Sequence, residues 1–166
     1  DTGAQARVGR EPLELTLAIT RGTLSAPVVK ETNDGLQIAG RVAFRPRPGL
    51  TLGVSAAEAR YLARTVTDAL PPALGDDYRQ QAIGLDLEHV HGHLLLRAEA
   101  VAARWRVPPI GSPAITEPLP SFGAFVEGRY RLAPGWTLGA RVDRLSFGEI
   151  QGARRETARS RHRALV

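Results

Sequence analysis

The segment from Ile83 to His93 holds the densest set of side chains able to do chemistry. His89, His91 and His93 stand at alternate positions. On a regular strand that spacing puts three imidazoles on one side, as a metal site requires. Gly92 falls between the last two, and a turn there splays the rings, so solvated histidines and no metal are expected. Asp86 and Glu88 share a strand face at i,i+2, like a general acid/base pair, but no nucleophile or loop partner accompanies them. Asp76-Asp77 offers oxygen ligands to a divalent ion, yet a solvated loop accounts for both. No G-x-S-x-G, P-loop or G-x-G-x-x-G occurs. No enzyme and no cofactor are expected.

Single charges set between apolar residues are far more numerous than any catalytic grouping. Arg41, Arg45, Asp86, Glu88, Arg97, Glu99, Glu127, Arg129, Arg131, Arg141 and Asp143 all sit this way. What positions them is strand alternation, which the chain states twice. Gly40-Arg41-Val42-Ala43-Phe44-Arg45-Pro46-Arg47-Pro48-Gly49-Leu50-Thr51-Leu52-Gly53 returns, slightly shortened, as Gly128-Arg129-Tyr130-Arg131-Leu132-Ala133-Pro134-Gly135-Trp136-Thr137-Leu138-Gly139. Each copy is an alternating strand, a Pro-Gly turn and a second alternating strand.

Seven stretches alternate with period two: 13–20, 36–45, 50–55, 83–88, 94–105, 124–132 and 136–143. Their connections alternate too. Those at 21–34, 63–80 and 107–121 are long, whereas Pro48-Gly49, His91-Gly92 and Pro134-Gly135 are short. An up-and-down barrel in an outer membrane has short turns at one end and long loops at the other. Soluble sandwiches mix loop lengths through crossovers. The expected fold is therefore all-β, an antiparallel up-and-down meander forming part of a transmembrane β-barrel over residues 1–151. The arginine-rich stretch 152–166 does not alternate and reads as a basic tail or a non-native end.

Composition agrees with that class. The 166 residues include no cysteine, so there is no disulfide framework or thiolate site. No apolar run approaches the ~18 residues of a membrane helix, a test that membrane strands escape. The net charge of +5 comes from arginine. Before residue 150 these arginines are spread singly beside acids, unlike a nucleic-acid patch. Charges of both signs on one face fit a water-filled lumen, and equally the solvated face of a soluble sheet. The opposite face is Leu, Ile, Val, Ala and Gly, with Phe44, Tyr130 and Trp136 near the Pro-Gly turns. Those aromatics suit a membrane-interface girdle, or core packing if the sheet is soluble. Arg41, Arg45, Arg129 and Arg131 are expected to crowd one sector near the turns.

Glu11-Pro12-Leu13-Glu14-Leu15-Thr16-Leu17-Ala18-Ile19-Thr20-Arg21-Gly22-Thr23-Leu24-Ser25, the Asn33-Asp34-Gly35-Leu36 turn into a strand and the two Pro-Gly hairpins resemble a Gram-negative porin. The likeness covers roughly residues 8–150 and is to the phosphate-selective porin O/P-like group and related outer-membrane barrels. The resemblance implies a bacterial outer-membrane location and lipid around the barrel. It also implies passive diffusion of small hydrophilic solutes, basic channel residues for anions, and a trimer of larger barrels. Bacterial barrels have even strand numbers from eight upward, so seven strands imply a fragment of one.

Overall fold

The structure, a computed structural model, describes residues 2–22, 24, 35–74, 78–109, 118–148 and 161–165, the last group through its backbone alone. Eight strands run in chain order through one antiparallel meander: β1 (Gly3–Arg10), β2 (Leu13–Arg21), β3 (Leu36–Arg47), β4 (Leu50–Arg60), β5 (Arg79–His91), β6 (Leu94–Trp105), β7 (Leu119–Ala133) and β8 (Trp136–Phe147). A short ninth, β9 (Arg161–Leu165), pairs with Arg141–Leu145 of β8 and lies within the stretch read as a basic tail. Helix is confined, among the described residues, to α1 (Arg64–Thr67) and a 3-10 turn at Pro72–Leu74.

The all-β meander is as expected, but the strand count is not. The eighth strand is β1, which pairs along its whole length with β2. Its positions on the apolar side are Ala4, Ala6 and Val8, opposite Ile19, Leu17 and Leu15. Two alanines and one valine give too shallow an alternation to announce a strand; the leucines of β2 supply the contrast. The sheet is open: among the described residues β1 and β9 pair with one neighbour each and not with one another. Asp76-Asp77, Asn33-Asp34 and the centres of the first and third long loops lie outside the described residues.

Two-residue turns at Glu11-Pro12, Pro48-Gly49, Gly92-His93 and Pro134-Gly135 join alternate strand pairs. In a meander successive connections fall at opposite ends, so all four share one edge of the sheet. Connections 22–35, 61–78, 106–118 and 148–160 share the other. Gly49 (φ 78°) and Gly135 (φ 82°) take the left-handed conformation that a type II turn demands after proline. The internal repeat extends to its irregularities: the register shifts just before each of these turns, at Phe44/Arg47 and at Arg131/Ala133.

Candidate functional site: a two-faced sheet

Pairing register assigns every side chain to a face. Glu14, Arg41, Ser55, Gly84 and Val101 are on one; Leu15, Val42, Val54, Leu85, Ala100, Ala124 and Arg144 define a row on the other. All eleven charged residues singled out above share the first face. Phe44, Tyr130 and Trp136 share the second, near the turn edge, and Trp136 is 72% exposed.

The charged face is a set of ion pairs that cross strands. Arg41 reaches from β3 over β4 to Asp86 on β5, with Nε to Oδ1 at 3.2 Å and Nη2 to Oδ2 at 2.5 Å. The strand between contributes Gly53, opposite Asp86, and a Cβ there would collide with the carboxylate. Glu14 receives Arg7 from β1 and Arg45 from β3, at 2.5 and 3.2 Å. Glu88 accepts from Arg97 Nε at 2.8 Å. Glu127 meets Arg129 at 2.6 Å and Arg141 at 3.5 Å, while Arg141 also lies 3.9 Å from Asp143 and 3.9 Å above the Phe125 ring. Glu99 stands opposite Asp86 and Phe125, and Arg131 opposite Thr137.

The expected crowding of Arg41, Arg45, Arg129 and Arg131 is not seen. They occupy β3 and β7, four strands and roughly 19 Å apart. Each pair of strands brings its own acids, so like charges are separated and opposite ones joined. Long charged chains fold down over small residues: Ala43, Ala59 and Ala103 on this face are buried, whereas Ala56, Ala102 and Ala140 on the other are exposed.

The second face is apolar and open. Val8, Leu17, Ile38, Val54, Leu85, Val126 and Val142, one from each of β1 to β8 except β6, are about half exposed or more, from 49% to 74%. Among the described residues only Ala43, Ala59, Tyr78 and Ala103 form a buried apolar core. A monomeric soluble protein rarely exposes a contiguous patch of this extent. Because a twisted sheet is saddle-shaped, this face is hollowed along one diagonal into an open trough of about 1300 Å³ between Leu17, Ile38, Val54, Ile83 and Phe122.

The borders of the apolar band run obliquely to the hydrogen-bonded rows. Phe44 is in register with Leu52, Leu87, Ala98 and Val126. On β7 the aromatic on this face nearest the turns is Tyr130, four residues nearer them than Val126 after four strands. One residue per strand, at ~3.4 Å rise and ~4.8 Å spacing, is a slope of about 35°. On the loop edge Arg60 lies opposite Arg79, and the Arg106 N–H donates to the Arg79 carbonyl at 3.0 Å. Arg104 is two residues nearer the turns than that row, and Arg144 a further four beyond Pro120, the partner of Arg104. Both borders drift in the same sense.

His89 and His91 lie on the apolar face with rings stacked at 6.2 Å, and His93 turns against Tyr130 at 6.1 Å. No group of three metal-binding side chains gathers among the described residues. Sequence reasoning did not find the aromatic cluster at the loop edge. Tyr61 meets Trp105 edge-on at 5.0 Å, and the Tyr61 hydroxyl donates to the Arg106 carbonyl at 2.9 Å. Buried Tyr78 donates its hydroxyl to the Leu74 carbonyl at 2.8 Å, pinning the connection that carries α1. Burial, and secondarily the nearby Tyr78, hold the Tyr61 phenol above its ordinary pKa. The only sequence signal was three aromatics flanking long loops.

No protein-family model matches the chain, and no curated protein matches it.

Proposed function

We propose that this sheet is part of the wall of a porin-like outer-membrane β-barrel, a passive channel for small hydrophilic solutes. The carrying observation is the exposed apolar band and its dimensions. Trp136 and Arg144 bracket it on β8, and on β4 the stretch from Leu52, in register with Phe44, to Arg60 has the same length. Eight residue steps span about 27 Å along a strand, or about 22 Å along an axis inclined ~35° to it. Outer-membrane barrels have strands tilted ~35–45° and an apolar belt ~25 Å tall. Turn-edge aromatics and loop-edge arginines then fall at the two membrane–water boundaries.

The charged face is the lumen in this reading. A cation facing lipid at the midplane costs about 2–4 kcal/mol, whereas a wet wall tolerates both signs. Arg7, Arg41, Arg45, Arg97, Arg129, Arg131 and Arg141 stand there with Glu14, Asp86, Glu88, Glu99, Glu127 and Asp143. Among the described side chains the balance is even to within one charge, which sets a transverse field across the path without strong ion selection. Transport is diffusion and asks for no catalytic group. The long connections, including the one pinned by Tyr78, shape the mouth.

The test is conductance of the intact chain in planar bilayers, with gel mobility before and after boiling. Conductance steps and heat-modifiable mobility are expected. A chain that stays monomeric without detergent, and conducts nothing, is instead a soluble binding module, with the apolar trough as its ligand site.

A further inference from the structure

The ion pairs of the charged face stop short of the loop edge. Among the described strand side chains, the row of Thr16, Arg41 and Ser55 is the last to carry a charge. The next row toward the loops sets Ala18, Ala39, Ala57, Ala82 and Ala103 side by side, and the one beyond it Thr20, Gln37, Ala59 and Gln80. A cavity of about 290 Å³ lies over these strands, floored by Ala39, Ala57 and Ala82 and bounded toward the turns by Thr16, Arg41 and Ser55. That volume is near the lower end for small-molecule sites.

The outermost row supplies a second, independent observation. Thr20 Oγ1, Gln37 Oε1 and Gln80 Oε1 are all buried with no hydrogen-bond partner, and Gln80 is only 6% exposed. Native folds seldom leave such groups unpaired, because each forfeits its bonds to water. Each of the three stands two residues along its strand from an alanine of the cavity, Ala18, Ala39 or Ala82. The two glutamines flank Ala59, two strand spacings or about 10 Å apart. All three oxygens are acceptors, so what completes them must bring donors. A carboxylate or phosphate presents mainly acceptors and is repelled. An ammonium donates but meets the Arg41 guanidinium across the cavity. A hydroxyl is neutral and donates, and it accepts equally well from a carboxamide turned over.

We infer that the cavity beside Thr20, Gln37 and Gln80 is a binding subsite for a neutral polyhydroxylated solute about the size of one sugar ring. This rests on the channel reading above and names the class of solute that the path favours. Hydroxyls of the solute satisfy the three unpaired oxygens, and Thr16 and Ser55 offer further hydrogen bonds on the turn side.

The experiment records the intact chain in planar bilayers, with insertion verified by heat-modifiable mobility, while D-glucose is titrated against glycine betaine at equal osmolality. Saturable block of the ion current by glucose, and none by betaine, is expected. The half-blocking concentration should rise about threefold for Gln80→Leu and about tenfold for Gln37→Leu combined with Gln80→Leu. It should not move for Gln81→Leu, whose side chain lies on the opposite face. Because Gln80→Leu removes an unpaired buried group, its urea midpoint should rise even as glucose binding weakens. A lowered midpoint means that the carboxamide is satisfied within the protein and overturns the inference. Saturable block by inorganic phosphate or by methylammonium, with none by glucose, overturns the neutral assignment. Conductance without saturable glucose block, or a block unchanged in the double variant, overturns the subsite and leaves the channel standing. A chain that neither inserts nor conducts overturns both.

Discussion

Gly53 is the residue on which the best-formed ion pair depends. Because it lacks a Cβ, the Asp86 carboxylate can lie against β4 and meet Arg41 from the strand beyond. Gly53→Ala is expected to push the carboxylate away and to destabilise the sheet by about 1–3 kcal/mol, read as a lower urea midpoint of the inserted chain. In an Asp86→Asn background the same substitution should cost less, since the charge it displaces is gone. Equal costs in both backgrounds refute the coupling. Tyr61 makes a prediction about pH. Its phenol ionises less readily folded than unfolded, so the folded form holds its proton while the unfolded form begins to lose it. Stability of the 61–78 connection should fall as pH rises through the ordinary tyrosine range near ~10. Tyrosinate absorbance followed alongside proteolysis of that connection checks it, and Tyr61→Phe should remove the dependence.

Single strands carry the two-faced character and can be tested individually. Val54 and Thr51 lie three residues apart on β4 and face opposite ways, Val54 opposite Val42 and Leu85, Thr51 opposite Glu88. Val54→Lys is expected to destabilise the membrane-inserted form by about 2–4 kcal/mol. Thr51→Lys, beside an acid, should stay within about 0.5 kcal/mol of the parent. Urea titration in vesicles measures both, and equal effects would mean that neither face of β4 meets hydrocarbon. Most strands were legible because Leu, Ile and Val recur against Arg, Glu and Thr. β1 was not, since Gly3–Arg10 offers alanines where its partner has leucines. A strand with so little contrast is specified by the neighbour it pairs with.

For the whole molecule the open sheet is decisive. Hydrocarbon cannot solvate an unpaired backbone edge, so in a membrane the outer edge of β1 must pair with another strand. Amide exchange should therefore show β1 protected along its length once inserted. Rapid exchange on its outward N–H groups would argue that the edge meets water and that no barrel closes. The balanced charged face predicts a reversal potential near zero in a salt gradient, and a strong anion or cation preference would refute that balance. Local periodicity was enough to determine the strand faces, the Pro-Gly turns and the meander, because each depends on residues near in sequence and on the period-two geometry of one strand. The tertiary structure alone decided which arginine meets which acid, the reach of Arg41 across Gly53, the oblique drift of both borders and the separation of the two repeat copies. Those features depend on register, which is fixed between strands by the sum of many pairings and is written in no single segment.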